Sequence, residues 1–204
     1  MGRSHAKPHP QPDNYTCGPA ALKTALEILG FRISLRNLIS LCKTNRNGAS
    51  VKNLISALNQ LGFSVLVTEW ATLRHLQSVL KTTPEHTRAA IVNYQEIDSD
   101  DEKDESGHYA TVAGFSARDS RIVLFNPSTG SKKSYKWTKF IDIWYDYDYK
   151  RIRRHHRHHR HQQFKLTRRY YNRLLLVIAN HPQDLPRFSI STSKMFLPKK
   201  LRPF

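Results

Sequence analysis

The first third of the chain alternates apolar and polar positions at helical spacing. Gly18 to Leu29 is rich in Ala and Leu, turns Lys23 and Glu27 outward and stops at Gly30, which predicts a helix closed by a glycine. Pro19 falls in its first turn, where a missing N–H costs little. Ser34 is placed to cap a second helix through Leu41, with Leu35, Leu38, Ile39 and Cys42 on one face. After a turn at Asn47-Gly48, Ser50 is placed to cap a third helix through Leu61, ended by Gly62.

The period then shortens. Phe63 to Val67 predicts a strand, Thr72 to Leu80 a helix and Ala89 to Tyr94 a strand. His108 to Phe115 and Arg121 to Phe125 predict two further strands joined by a turn at Ala117–Ser120, and Asn126-Pro127-Ser128-Thr129-Gly130 ends the second in a loop. Thr138 is placed to cap a short helix from Lys139 to Trp144, and Leu174 to Ile178 predicts one more strand. The acidic run Asp98–Glu105 predicts a loop, and the proline-bearing tail Gln183–Phe204 an irregular segment. Helices first and antiparallel strands afterwards predict an α+β fold.

At 204 residues the chain is long enough for one domain with a substantial core. Thirty-three Lys and Arg against sixteen Asp and Glu give a net charge of +17. The excess is uneven: from Lys150 onward Asp184 is the only acid. The tract Arg151-Ile152-Arg153-Arg154-His155-His156-Arg157-His158-His159-Arg160-His161 interrupts the strand pattern and is expected to be a disordered basic insertion at about 150–169. Its histidines would hold Ni²⁺ or Zn²⁺ adventitiously, but no acid or cysteine completes a metal site, so no metal or organic cofactor is expected. A non-specific anion or nucleic-acid contact through the tract stays open. The start of the chain lacks the apolar core of a signal peptide, and Leu174–Ala179 is far shorter than the roughly 20 residues of a membrane helix. A soluble, cytoplasmic protein without a transmembrane segment is expected.

Candidate chemistry enters at residues 11–21, Gln-Pro-Asp-Asn-Tyr-Thr-Cys-Gly-Pro-Ala-Ala. Cys17 opens the first helix, where unpaired N–H groups and the positive end of the helix dipole favour a thiolate, the attacking form. His108, after Gly107 and at the head of a strand, is the candidate base. Asn126, at the end of the next strand, would orient the imidazole, and Gln11 with the N–H of Cys17 would line an oxyanion hole. Each residue alone has a plainer reading. An isolated cysteine is most often a small buried hydrophobe, the reading adopted for Cys42, and Asn126-Pro127 alone is an ordinary turn. The conjunction in chain order points to a papain-type thiol hydrolase.

Gln11-x5-Cys17-Gly18-Pro19-Ala20-Ala21-Leu22, then Asn47-Gly48-Ala49-Ser50 leading a helix to Leu61-Gly62-Phe63, then Gly107-His108-Tyr109-x2-Val112-x-Gly114, then Phe125-Asn126-Pro127 and Gly130, resembles the papain-like double-glycine peptidases. These are the peptidase domains of bacteriocin-exporting ABC transporters and their stand-alone relatives. The resemblance runs from about Gln11 to Trp144. It implies an N-terminal helical lobe carrying the nucleophile, packed on an antiparallel sheet, and cleavage of a peptide after a Gly-Gly leader. Cys17 would be the nucleophile, His108 the base, Asn126 the orienter and Gln11 an oxyanion donor. The chain departs from the transporter-linked members in carrying Asn126 where they usually have aspartate and Thr16 where they usually have an acid, and no Gly-x4-Gly-Lys-Ser/Thr nucleotide loop follows. Residues 1–10 are then an N-terminal extension, 11–180 the peptidase domain with its basic insertion, and 181–204 a tail. Two rivals stay open: the same scaffold as a non-cleaving peptide-binding module, and a nucleic-acid-binding protein that uses the basic insertion.

Overall fold

The computed structural model describes residues 6–81, 87–96, 106–154 and 163–200. Three helices lead: α1 (Cys17–Ile28), α2 (Leu35–Leu41) and α3 (Val51–Gln60). Local chemistry sets their ends. Ser34 Oγ accepts from the N–H of Asn37 at 3.2 Å and Ser50 Oγ from that of Asn53 at 3.3 Å, each satisfying a free donor of a first turn. Gly30, just past the end of α1, is left-handed at φ 77°, a conformation glycine adopts at little cost.

The remaining elements are β1 (Ser64–Thr68), α4 (Leu73–Leu80), β2 (Arg88–Glu96), β3 (Ser106–Ser116), β4 (Arg121–Asn126), β5 (Ser131–Lys136), α5 (Trp137–Ile143), β6 (Tyr145–Arg154), β7 (Gln163–Asn172), β8 (Leu175–Ala179) and β9 (Ser193–Phe196). Seven strands form one antiparallel sheet in the order β5-β4-β3-β2-β8-β1-β9. The inner strand β8, Leu-Leu-Val-Ile-Ala, is buried at every position because helices cover both faces. Leu22, Leu26, Leu54 and Leu58 from α1 and α3 meet Ile91, Leu176 and Ile178 on one side. On the other, Leu76, Phe140, Ile143 and Trp144 meet Val92, Leu175 and Val177. The fold is α+β.

Where the structure departs from expectation, tertiary contacts decide. The segment around 150–169 is strand rather than loop where it is described, with β6 running into the Arg/His tract: β6 and β7 pair antiparallel from Tyr145↔Asn172 to Arg154↔Gln163. The alternation Tyr145-Asp146-Tyr147-Asp148-Tyr149 is a strand signal that the surrounding charge obscures. Residues 155–161 of the tract and the acidic run Asp98–Glu105 lie outside the described residues. α5 begins at Trp137, with Lys136 as its N-cap and not Thr138, because Trp137 and Phe140 pack toward Trp144. The tail is not wholly irregular. β9 pairs with β1 from Val65↔Phe196 to Thr68↔Ser193 and satisfies backbone groups that an edge strand leaves open. The described part of the N-terminal extension is seated on α1, where the His9 N–H donates to Thr24 Oγ1 at 3.2 Å and His9 Nε2 lies 2.7 Å from Glu27 Oε2.

Phe140 is fully buried, with ring centroids of Trp144 at 5.1 Å and Tyr94 at 5.8 Å. Phe140→Ala is expected to lower the unfolding free energy by about 3–5 kcal/mol. Ile141→Ala, on the exposed side of the same helix, should lower it by less than about 1 kcal/mol, both read by urea denaturation.

Candidate active site

α1 is seated on β3 by one buried contact, the Thr111 hydroxyl donating to the Ala21 carbonyl at 2.6 Å. This seat brings Cys17, at the head of the helix, against the strand. Its sulfur accepts from the backbone N–H groups of Tyr109 and Gly18. The expected low-pKa thiolate is not what forms. Cys17 is only 7% exposed, and burial pushes its thiol up to about 11. The two N–H groups pull it down by less, and the carboxylates of Asp146 and Glu96 add to the rise. At neutral pH Cys17 rests as a thiol. Cys42 is enclosed in the same core, its thiol pushed up to about 12 by burial.

His108 and Asn126 are brought together. His108 Nε2 donates to Asn126 Oδ1 at 2.8 Å. The surrounding bonds fix this direction: the Ser128 N–H donates to the same Oδ1 at 2.9 Å, and Asn126 Nδ2 donates to Glu96 Oε1 at 2.6 Å. Asn126 therefore presents only its oxygen to the ring. Neutral His108 carries its proton on Nε2, leaving the Nδ1 lone pair for proton transfer. Burial lowers the His108 pKa, against the raising influence of Glu96 and Asn126, so the ring is neutral at neutral pH. For Glu96 burial raises the pKa, but His108, Ser128 and Lys133 together outweigh it and the carboxyl is held below its ordinary value, ionised.

Strand alternation along β3 sends neighbouring side chains to opposite faces. Tyr109 and Thr111 face α1, while the His108 ring turns to its cross-strand partner Tyr94, edge-on at 5.6 Å. No hydrogen bond joins Cys17 to His108 among the described residues. The thiol sits against the backbone N–H of Tyr109, the residue that follows His108. Gln11 is drawn to the loop after Asn126, its N–H donating to the Pro127 carbonyl at 2.9 Å. Its Oε1 is enclosed without a partner among the described residues.

A cleft of about 560 Å³ opens at Cys17, walled by Asn45, Ser50, Gly107, Tyr109, Asp146 and Asp148 among others. Asp146 lies directly over Gly107, where any side chain would run into its carboxylate. Its oxygens accept from Asn93 Nδ2 at 2.6 Å, Gln95 Nε2 at 2.9 Å and the Tyr147 N–H at 2.7 Å. Burial, the largest influence on it, raises the Asp146 pKa to about 6. Asp146 and Glu96 went unnoticed in the sequence. The Tyr-Asp alternation was the available signal for the first, whereas Glu96, at the end of an apolar run, carried none.

Residues 5–148 match the model of the Peptidase C39 family. The chain belongs to the peptidase C39 family. It is a cysteine-type peptidase, a hydrolase. Its fold resembles the peptidase domain of Streptococcus ComA, a bi-functional ABC transporter involved in quorum sensing. That likeness has a TM-score of 0.59 at 20% identity, over 86% of this chain and 98% of that one. It also resembles a double glycine motif protease from an AMS/PCAT transporter, solved in complex with a leader peptide, with a TM-score of 0.54 at 12% identity over 86% and 95% of the two chains. No curated protein matches the sequence significantly. Among the described residues of the peptidase, no helix is long and apolar enough to cross a membrane.

Carbamidomethylation of Cys17 by iodoacetamide, located by peptide mass spectrometry, should rise about tenfold per pH unit from pH 7 to 10, following the thiolate fraction of a group at about 11. Asp146→Asn removes a negative charge that raises this pKa, so alkylation at pH 8 should become several-fold faster. The variant can be accommodated, because the Asn93 and Gln95 amides carry unpartnered oxygens that could turn to accept from the new amide.

Proposed function

We propose that this peptidase hydrolyses peptides through an acyl-enzyme, with Cys17 as nucleophile, His108 as general base and acid, Asn126 as orienter and Gln11 as oxyanion donor, and that its substrates carry a Gly-Gly leader. The observation that carries the reading is the buried bond from His108 Nε2 to Asn126 Oδ1. It leaves Nδ1 available one residue from the N–H that holds the Cys17 sulfur. Catalytic hydrogen bonds are commonly long in a free enzyme and tighten around substrate, so the separation of thiol and ring suits a resting state.

When a peptide carbonyl enters the cleft, Nδ1 takes the thiol proton and the thiolate attacks the carbonyl carbon. The oxyanion that forms accepts from the Cys17 N–H and the Gln11 Nε2 amide. Collapse breaks the C–N bond, and the imidazolium returns its proton to the leaving amine. Water, deprotonated at the same Nδ1, then cleaves the thioester and regenerates the thiol. Residues 11–180 form the peptidase domain in this reading, with the β6–β7 ribbon inserted before the last central strand. Support for the Gly-Gly preference comes from the family and from the leader-bound double glycine motif protease that shares the fold.

Peptides with Gly-Gly or Ala-Ala at one position, read by mass spectrometry, test this. Cleavage after the second glycine is expected with the native protein and none with Cys17→Ala. Gln11→Ala should lower kcat by about 10²–10³ with KM little changed. Absence of any Cys17-dependent product would overturn the reading.

A further inference from the structure

Three neighbouring strands converge on His108. Glu96 closes β2, two residues beyond the Tyr94 that pairs with His108, and Asn126 closes β4. Glu96 Oε1 accepts from Asn126 Nδ2 at 2.6 Å and from Lys133 Nζ, on β5, at 3.0 Å. Glu96 Oε2 accepts from Ser128 Oγ at 2.8 Å and lies 3.5 Å from His108 Nε2. Among the described residues, each of these partners of the carboxylate is a donor. An asparagine amide between a carboxylate and an imidazole has two orientations, and only one avoids setting its oxygen against the carboxylate.

We propose that Glu96 is a positioning residue of this peptidase, which locks the Asn126 amide with its oxygen toward His108 and places an anion beside the ring during proton transfer. The inference rests on the proposed roles of Cys17, His108 and Asn126. Asn126 is neutral and can orient a ring but cannot balance its charge. The charge has to come from elsewhere, and Glu96 stands nearest to Nε2 on the same face of the sheet. When Nδ1 takes the thiol proton, the ring becomes a cation in a buried site. The anion 3.5 Å away then stabilises the state that carries the thiolate. Lys133 tempers this by pairing with the same carboxylate, and Tyr94 and Tyr135 are the other titratable groups on this side among the described residues.

Two variants separate orientation from charge. Glu96→Gln keeps an acceptor for Asn126, while the Ser128 hydroxyl can rotate to accept from the new amide. It removes only the charge, so kcat should fall about tenfold and the acidic limb of the kcat/KM profile should move to lower pH. Glu96→Ala releases Asn126. Here kcat should fall about 10²-fold at nearly constant KM, and the ¹⁵N shifts of His108 should show a mixture of ring tautomers where the native protein shows protonated Nε2 alone. Adding Asn126→Asp to Glu96→Ala moves the carboxylate onto the residue that touches Nε2 and should recover most of the lost rate. The proposal is overturned if Glu96→Ala leaves the tautomer and the pH profile unchanged while lowering only the melting temperature, or if the second substitution recovers nothing. Because the NMR measurement needs no turnover, a protein that cleaves no peptide would overturn the proposed function while the tautomer shift still reported on Glu96.

Discussion

The register of β3 against β2 is the constraint on which the site depends. Pairing of His108 with Tyr94, Tyr109 with Asn93 and Gly107 with Gln95 assigns alternate side chains to opposite faces. One face carries Tyr109 and Thr111 beneath α1, the other the imidazole and its carboxylate. A slip of one residue would exchange the sets, sending His108 under the helix and Tyr109 into the cluster around Tyr94. The hydrophobic pattern forbids this, because Ala110 and Val112 belong to the core beneath α5, while Tyr109 belongs to the core beneath α1. Packing far from the chemistry therefore fixes where each reactive group points.

This division explains the resting protonation. Sulfur and imidazole are both buried, and burial disfavours charge on either, so thiol and neutral ring coexist at neutral pH. Glu96 remains ionised beside the ring because Ser128, Lys133 and His108 compensate its own burial. Its charge opposes a thiolate standing alone and favours an imidazolium. In the proposed reaction the sulfur would ionise only as the ring accepts its proton. The helix N-terminus contributes through the N–H of Gly18, but the first turn of a helix is a weak source of potential beside the loss of water.

The elements that could be read from the sequence were those whose signals are local. Ser34 and Ser50 cap their helices and Gly30 closes α1 because one side chain or one glycine decides each. The chain order of Cys17, His108 and Asn126 was equally legible, since each sits at the end of an element. Hidden features depend on distant partners. β9 exists because β1 needs a neighbour, and the start of α5 is set by aromatic packing that no cap reveals. Glu96 matters only once β4 and β5 bring Asn126 and Lys133 to it. The thiol's ionisation was misjudged for the same reason, because helix position is local and burial is not.

The β6–β7 ribbon shows how a segment of extreme composition can be tied into a packed core at a single place. The ribbon leaves and re-enters at one point, where the buried Trp144 indole donates to the Leu174 carbonyl at 2.9 Å and the Arg173 N–H donates to the Trp144 carbonyl at 2.8 Å. Between those ends β6 starts on acids and only later turns basic. Asp146 and Asp148 enter the cleft wall, where neutral amides, the Tyr171 hydroxyl and backbone N–H groups receive them. On β6 the basic residues begin at Lys150, whereas on β7 Arg169 stands opposite Asp148 at the root. A protein of net charge +17 thus lines the cleft at Cys17 with two carboxylates, a local arrangement that the average charge of the chain does not foretell.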